Sequence, residues 1–395
     1  MEAVDSLILL HQQDAAFKME LLSCTVFQHM ASAAAAFSPG RIFSYGSLAE
    51  NHPGVTALEA DSLQGLTAAF LCAAASRSVL LLLQPAPALS PQTLGMLERS
   101  AESAGGSAVL CCGDVPLALL APKEKLQMYD FGDFDELSAM RLCQGLNAVA
   151  HYVPEGEKHV VTDALSAFHA QEALRMRINL FWMDRGVFLM DPNTTYISPL
   201  ASIGEGTTIL PGCYLFGRTR TGERCRIGPN AYLQDAVLGD KVSINSSQVY
   251  ESSIGSQTTV GPFAYVRPGC TVGERARIGD FVELKKADIG NGTKVAHLTY
   301  LGDISLGERV NVGCGVVAVN YDGKNKYRSQ VGDDSFIGCN VNLVAPVKVG
   351  RGAYLAAATT VTEKDDVAED SLVIGRVRAA VKPGWAKKRR QDGKL

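Results

Sequence analysis

The chain has 395 residues, 47% of them hydrophobic and 20% charged, with a formal net charge of −4. A single hydrophobic core rarely organises more than roughly 250–300 residues, so two domains are expected, and the slightly acidic balance gives no electrostatic pull toward a nucleic acid. The ten cysteines are scattered, without a C-x-x-C pair or a compact framework, which argues against a zinc module or a secreted disulfide scaffold and for reduced thiols in a cytoplasm.

The opening Met-Glu-Ala-Val-Asp carries no basic segment leading into an apolar core, so neither secretion nor transit is indicated. Strand-like and helix-like segments then alternate: Ser6–Leu10, the apolar stretch Val26–Phe37, Val79–Leu83, a helical Pro91–Ser103 and Ala108–Cys111. Such alternation predicts an α/β domain with a mostly parallel sheet. Apolar runs such as Val79–Leu83 fall far short of the roughly 18 residues a membrane span requires. From Asp163 to Arg185 the polar and apolar spacing predicts a long connecting helix with Arg175 and Arg177 on its exposed side.

From Ile197 the period changes. Apolar residues recur every six positions at Ile203, Ile209, Leu215, Ile227 and Leu233, with Thr221 the one polar member. After slips of register the column resumes at Leu238 and Ile244, at Ile254, Val260, Val266, Val272, Ile278 and Leu284, at Ile289, Val295 and Leu301, and at Val331, Ile337, Leu343, Val349, Leu355 and Val361. A step of six fits neither a helix nor a flat strand. It fits a triangular coil in which each unit is one short strand plus a corner and the apolar residue points into the prism. Glycine follows the apolar position repeatedly, as at Gly204, Gly228 and Gly279, suiting corners where backbones approach closely or φ is positive. The expectation is a left-handed parallel β-helix of hexapeptide repeats. The boundaries expected are 1–165 for the α/β domain, 166–195 for the connector, and 196–395 for the β-helix with its tail.

Asn311–Gln330 departs from the repeat, and its segment Asn320-Tyr321-Asp322-Gly323-Lys324-Asn325-Lys326 is too polar and turn-rich for a strand, so it reads as a projecting loop. The basic run Lys387–Arg390 near the end reads as a solvated terminus.

The repeat region holds one histidine, His297, so imidazole chemistry there must use it. A lone histidine is more often structural, but its neighbourhood is unusual. Coils of three six-residue units repeat every eighteen residues, the separation of Arg267 and Lys285, so these two cations should stack on one face. A guanidinium fork beside an ammonium suits a phosphate.

These residues lie in motifs that resemble the acetyltransferase half of the bifunctional N-acetylglucosamine-1-phosphate uridyltransferase / glucosamine-1-phosphate N-acetyltransferase family: Gly261-Pro262-Phe263-Ala264, Arg267-Pro268-Gly269, Phe281 to Lys286, His297 to Asp303, and Asn320 to Gly323. Arg177-Ile178-Asn179, Trp182-Met183 and Asp191 to Tyr196 resemble that family's interdomain helix and first coil, so the likeness runs from about Asp163 to Trp385. It implies a glucosamine-1-phosphate N-acetyltransferase of UDP-N-acetylglucosamine and cell-wall precursor synthesis, cytoplasmic and homotrimeric, with acetyl-CoA as co-substrate. It implies His297 as general base and Arg267, Lys285, Tyr300 and Asn311 as amino-sugar phosphate contacts. Acetyl-CoA would meet Cys314, Asn320, Tyr321, Lys326, Cys339, Ala357 and Arg376, several from a neighbouring subunit. This chain has Cys314 where the family usually has Ala, and Cys339 where it usually has Ser. An imidazole ordinarily titrates near pH 6.5 and suits removal of a proton from an amine at neutral pH. No metal is needed for that half.

The first domain departs from the family. Where a glycine-rich, basic loop should follow the first strand, the chain reads His11-Gln12-Gln13-Asp14-Ala15-Ala16-Phe17; where a magnesium-binding Asp is expected it reads Leu83-Gln84-Pro85-Ala86-Pro87, and near the second metal position His159-Val160-Val161-Thr162-Asp163 without an Asn. The expectation is a degenerate nucleotidyltransferase-like α/β domain that has lost uridyltransferase activity, magnesium being required only if it had not. The alternatives are a bifunctional enzyme that retains the UTP-dependent step and a non-catalytic regulatory paralogue.

Overall fold

The computed structural model describes residues 3–8, 14–38, 40–45, 54–58, 60, 63–103, 106–129, 131, 136–376 and 379–392. The predicted loop residues His11–Gln13, and Leu9–Leu10 of the first predicted strand, lie outside them. The chain forms two compact units, one of 1–184 with 195–201 and one of 185–194 with 202–395. Among the described residues no helix is long and apolar enough to cross a membrane.

The first unit is built on a seven-stranded sheet of β1 (Asp5–Ile8), β2 (Ile42–Tyr45), β3 (Val55–Leu58), β4 (Ser78–Leu82), β5 (Ala108–Cys112), β6 (Val115–Pro122) and β7 (Val149–Tyr152), in the order β3-β2-β1-β4-β6-β5-β7. Only β6 runs antiparallel to its neighbours, so the expected mostly parallel sheet is present. The central strand shows why the sheet carries helices on both faces. Leu80 and Leu82 join one core with helices Val26–Phe37 and Pro91–Ser103, while Val79 and Leu81 join another with Phe70 and Leu142. A strand apolar on both pleats must be covered twice. At the start of β1 the buried Asp5 carboxylate accepts from the Arg41, Ala75 and Ser76 amides at 2.7, 2.7 and 3.2 Å. Burial alone would raise its pKa, but those donors outweigh burial and hold it below the ordinary value.

The long helix spans Ala164–Met183, opened by a capping box between Asp163 and Ser166. Its Ala167, Ala170 and Leu174 recur at three- and four-residue steps and enter the first unit's core. Arg175 is not on an exposed side as expected. It is 4% exposed, bonded to Glu172 by Nε at 3.0 Å, with its guanidinium over the Tyr196 ring at 5.6 Å. Pairing and stacking let a charge lie where the helical period puts an inward position. Arg177 is about half-covered and donates to Ala88 O at 2.6 Å.

The second unit is the left-handed β-solenoid, of about 10 turns. Every position of the predicted six-step column is buried, the most exposed being Thr221 at 8%. Coil lengths vary by a residue or two. Thr208 faces Arg226, Arg226 faces Ser243, and Ser243 faces Thr259, so successive coils hold 18, 17 and 16 residues while the ladder stays in register. The corner positions with positive φ are filled mostly by residues other than glycine, such as Asn230 (φ 51°) and Phe281 (φ 54°). Gly279 serves closeness instead: any Cβ there would collide with the Ala296 carbonyl of the next coil. Threonines tie coils together from inside, Thr258 donating to Gly273 O at 2.7 Å and accepting from Ala276 N at 3.0 Å.

The expected loop is present as an excursion of one coil, but over 320–328 only: Asn311–Val312 and Val317–Val319, expected to leave the repeat with it, stay in the ladder with Val312 and Ala318 buried. Asn311 faces Phe336 across 25 residues, whereas Phe336 faces Tyr354 across 18. Asp322 accepts from the Lys324 and Asn325 amides at 2.7 and 2.6 Å, an Asx turn that shapes its tip. Arg328 braces its return, reaching Asp288 at 2.5 Å and Ser305 Oγ at 2.8 Å on the coils below.

Leu284 is fully buried in the aliphatic column. Leu284→Ala should therefore cost about 2–5 kcal/mol of solenoid stability, read as a lower urea midpoint. An unchanged midpoint would show that the column does not carry the packing.

Candidate active site

One corner of the solenoid aligns Asp280, His297, Cys314, Cys339 and Ala357, one from each successive coil. The backbone enforces the order: Leu298 N donates to Asp280 O at 2.9 Å, Gly315 N to His297 O at 3.4 Å, Asn340 N to Cys314 O at 2.8 Å and Ala358 N to Cys339 O at 2.8 Å. The residue after each column member turns the corner with positive φ, as at Leu298 (φ 47°) and Asn340 (φ 54°).

Stacking puts the Asp280 carboxylate 2.5 Å from His297 Nδ1, with the imidazole half exposed. The hydrogen bond from His297 holds the Asp280 carboxyl below its ordinary pKa of 3.8. An ionised carboxylate can only accept, so Nδ1 carries the proton and the Nε2 lone pair is left outward. A fixed tautomer with a free basic nitrogen is what a general base needs.

The next face carries the cations. Tyr265 faces Glu283 and Val266 faces Leu284, so Arg267 stacks beside Lys285 as the eighteen-residue count predicted. Lys285 in turn faces Gly302. A side chain at Gly302 would collide with Tyr300 Oη and Asn320 Nδ2, so the glycine leaves room for both groups to lean over the cation column. Arg267 Nη1 is 3.0 Å from Glu283, a hydrogen bond that raises its pKa. Lys285 is only 14% exposed and 3.7 Å from Asp303. Lys326, returning on the loop, lies against it, and that second ammonium is the main reason the Lys285 pKa is lowered. Asp303 also accepts from Asn320 Nδ2 at 2.5 Å. Three cations beside two carboxylates leave a net positive face, suited to an anion.

Residues 251–286 match the family described as bacterial transferase hexapeptide (six repeats). The chain is 45% identical over 229 residues to the bifunctional protein GlmU of Halalkalibacterium halodurans, covering 58% of this chain and 50% of that protein. It is 51% identical over 220 residues to the GlmU protein of Clostridium novyi, covering 56% and 48%. The chain spans about half the length of the GlmU proteins it matches. A solved UDP-N-acetylglucosamine acyltransferase from Campylobacter jejuni is similar at 18% identity and a TM-score of 0.30, covering 46% of this chain and 70% of that one; a likeness that low adds no weight.

Of the residues that the GlmU resemblance nominates, Arg267, Lys285 and Tyr300 share one face, with Asn320 and Lys326 brought to it by the loop. Lys326, nominated for acetyl-CoA, thus sits at the cation column, because the loop folds back with Tyr321 bridging to Lys326. Cys314, Cys339 and Ala357 continue the His297 corner, and Arg376 joins them by donating to Ala357 O at 2.8 Å. Tyr321 stands exposed at the loop tip. Asn311 is on the other side of the corner, on the face of Lys294 and Phe336, and is not brought to Arg267 within one protomer. Sequence reasoning missed Asp280, Glu283 and Asp303. Asp280 lies seventeen residues before His297, one short coil, and a count that allowed for slipped register would have found it.

His297→Ala should return the Asp280 pKa upward toward 3.8, which side-chain carboxyl NMR would read. Because the folded value is depressed, the pair's stabilising effect is present above that ordinary value and fades as pH falls through the folded one. An Asp280 titration identical in the two proteins would show that the pair does not form.

Proposed function

We propose that the solenoid unit is an acetyl-CoA-dependent N-acetyltransferase that acylates the amine of glucosamine 1-phosphate, in the synthesis of UDP-N-acetylglucosamine for the cell wall. The observation that carries this reading is the Asp280–His297 pair beside a face whose Arg267, Lys285 and Lys326 gather positive charge. His297 Nε2 takes the proton from the amine as its nitrogen attacks the thioester carbonyl. The tetrahedral intermediate collapses with the C–S bond breaking, and the imidazolium returns the proton to the departing CoA thiolate. Asp280 holds the ring in the productive tautomer and faces the imidazolium with negative charge. The sugar phosphate lies on Arg267, Lys285 and Lys326, and Tyr300 and Asn320 offer polar groups to the ring hydroxyls. The pantetheine arm runs along the corner past Cys314, Cys339 and Ala357, where backbone groups and small side chains leave it space, toward Arg376.

The proposed assembly is a homotrimer, in which Asn311, on the face of Lys294 and Phe336, would meet the pocket of a second subunit. An exposed apolar ridge beside the histidine corner, Phe263, Phe281 and Leu298 at 59%, 57% and 58% exposure, with the two rings stacked at 5.4 Å, supports that assembly. The proposed setting is the cytoplasm.

The first unit we read as a nucleotidyltransferase-like fold without the uridyltransferase step. The metal-binding Asp is expected within Leu83–Pro87; there Ala86 is fully buried and Pro85 O accepts from Val161 N at 2.8 Å. The run Leu83–Pro87 therefore supplies no carboxylate to a divalent cation, its one polar side chain being the neutral amide of Gln84.

Purified protein given acetyl-CoA and glucosamine 1-phosphate should release free CoA, and His297→Ala should lower kcat by about 10²–10⁴-fold. No release from the wild-type protein would shift the reading to the regulatory paralogue, and pyrophosphate release from UTP would restore the bifunctional one. Arg267→Ala should raise the KM for glucosamine 1-phosphate by roughly 10–100-fold, the worth of a charged hydrogen bond, while leaving the KM for acetyl-CoA nearly untouched. An equal rise for both substrates would remove Arg267 from the phosphate site.

A further inference from the structure

We propose that Cys314 and Cys339 form a peroxide-sensitive dithiol, closing to a disulfide that links two successive coils beside His297 and reopening on reduction. Asn311 faces Phe336 and Val312 faces Ile337, so Cys314 and Cys339 are direct neighbours on the corner, tied by the Asn340 N to Cys314 O bond of 2.8 Å. Neighbours in such a ladder lie roughly 4.8 Å apart, inside the Cα separation of roughly 4.4–6.8 Å that a disulfide tolerates.

Access separates this pair from the other cysteines of the solenoid. Cys339 is exposed and Cys314 half-buried, whereas Cys213, Cys225 and Cys270 are buried. Cys213 and Cys225 direct their thiols at backbone carbonyls of the prism, and burial pushes the Cys213 pKa up to about 11. Thiols held that way are poor nucleophiles.

The redox step balances with hydrogen peroxide as oxidant. One thiolate attacks a peroxide oxygen, the O–O bond breaks, and a sulfenic acid forms as hydroxide leaves and is protonated to water. The second thiolate attacks the sulfenic sulfur, the S–S bond forms and hydroxide leaves, so two thiols and one peroxide give one disulfide and two waters. Side chains standing parallel on adjacent coils must lean together to bond, and an exposed, strained disulfide is the readily reduced kind.

The chain enclosed between the two cysteines is the coil that carries Asn320, Tyr321 and Lys326. Closing it would pinch the corner and tether the loop, turning acetyl transfer down. That consequence rests on the acetyl-transfer reading; the cross-link itself does not.

The test uses the full chain, reduced, desalted, treated with one equivalent of hydrogen peroxide and cleared with catalase. Trypsin under non-reducing conditions should give peptides 310–324 and 329–348 joined, lighter than their sum by two hydrogens and separated by dithiothreitol. CoA release by the same sample should fall several-fold and recover with dithiothreitol. In Cys339→Ser the joined peptides should vanish and the ratio of oxidised to reduced activity should stay near one, whatever its basal rate. Both peptides recovered as free thiols, as sulfonic acids, or joined to other cysteines would overturn the dithiol. Joined peptides with undiminished CoA release would overturn the switch, and a reduced wild-type protein that releases no CoA would count against the acetyl-transfer reading alone.

Discussion

The second unit depends on one repeated interaction, the parallel backbone ladder between successive coils. Most strands are only two or three residues long, too short to stand alone, and each coil adds to the column one large aliphatic residue per face, as Val266, Leu284 and Leu301 do. Stacking makes both terms additive: every coil satisfies the amides of the one below and extends the dry column. The same ladder that aligns the aliphatics inside aligns polar groups outside. Asp280 meets His297, and Arg267 meets Lys285, because their backbones are paired, with no side-chain network needed to find the geometry.

The charges on the cation face show a second constraint. Lys285 is largely covered and meets another ammonium, a repulsive arrangement that Asp303 offsets only in part, while Glu283 pairs with Arg267. Those carboxylates keep the face from repelling its own loop, while Asn320 joins Asp303 to the loop and Arg328 fastens its far end. On the proposed reading an arriving phosphate would relieve the remaining repulsion, the field being built before the ligand comes.

Legibility in the sequence followed physical strictness. The interior of a triangular prism accepts little beyond aliphatic side chains, so the six-residue column could be read through each slip, and all its positions are buried. The stacking of Arg267 on Lys285 was legible because that coil has eighteen residues. Asp280 escaped because its coil has seventeen, and the count that finds one neighbour misses the other. In the first unit the central strand and helix Pro91–Ser103 were visible, while β2, β3, β6 and β7 were not; β3 and β7 alternate weakly, being largely exposed or partly covered. Arg175 was misplaced because its ion pair and ring contact hide a charge that periodicity treats as a surface mark.

The variation in coil length has an evolutionary consequence. Substitution changes one bead in an outer column, whereas gain or loss of a residue at a corner is taken up there, and the next inward residue returns to its column with its outer neighbours beside it. Deleting a single residue at a corner between Asp280 and His297 would let the aliphatic interior re-register, as the coils of 16 and 17 residues show, and because Asp280 faces His297 in the same ladder that sets Ile278 against Val295, the pair would re-form with it. In this architecture small insertions and deletions at corners alter the outline of a coil and leave its outer pairs standing, so surface chemistry is rewired one side chain at a time, by substitution.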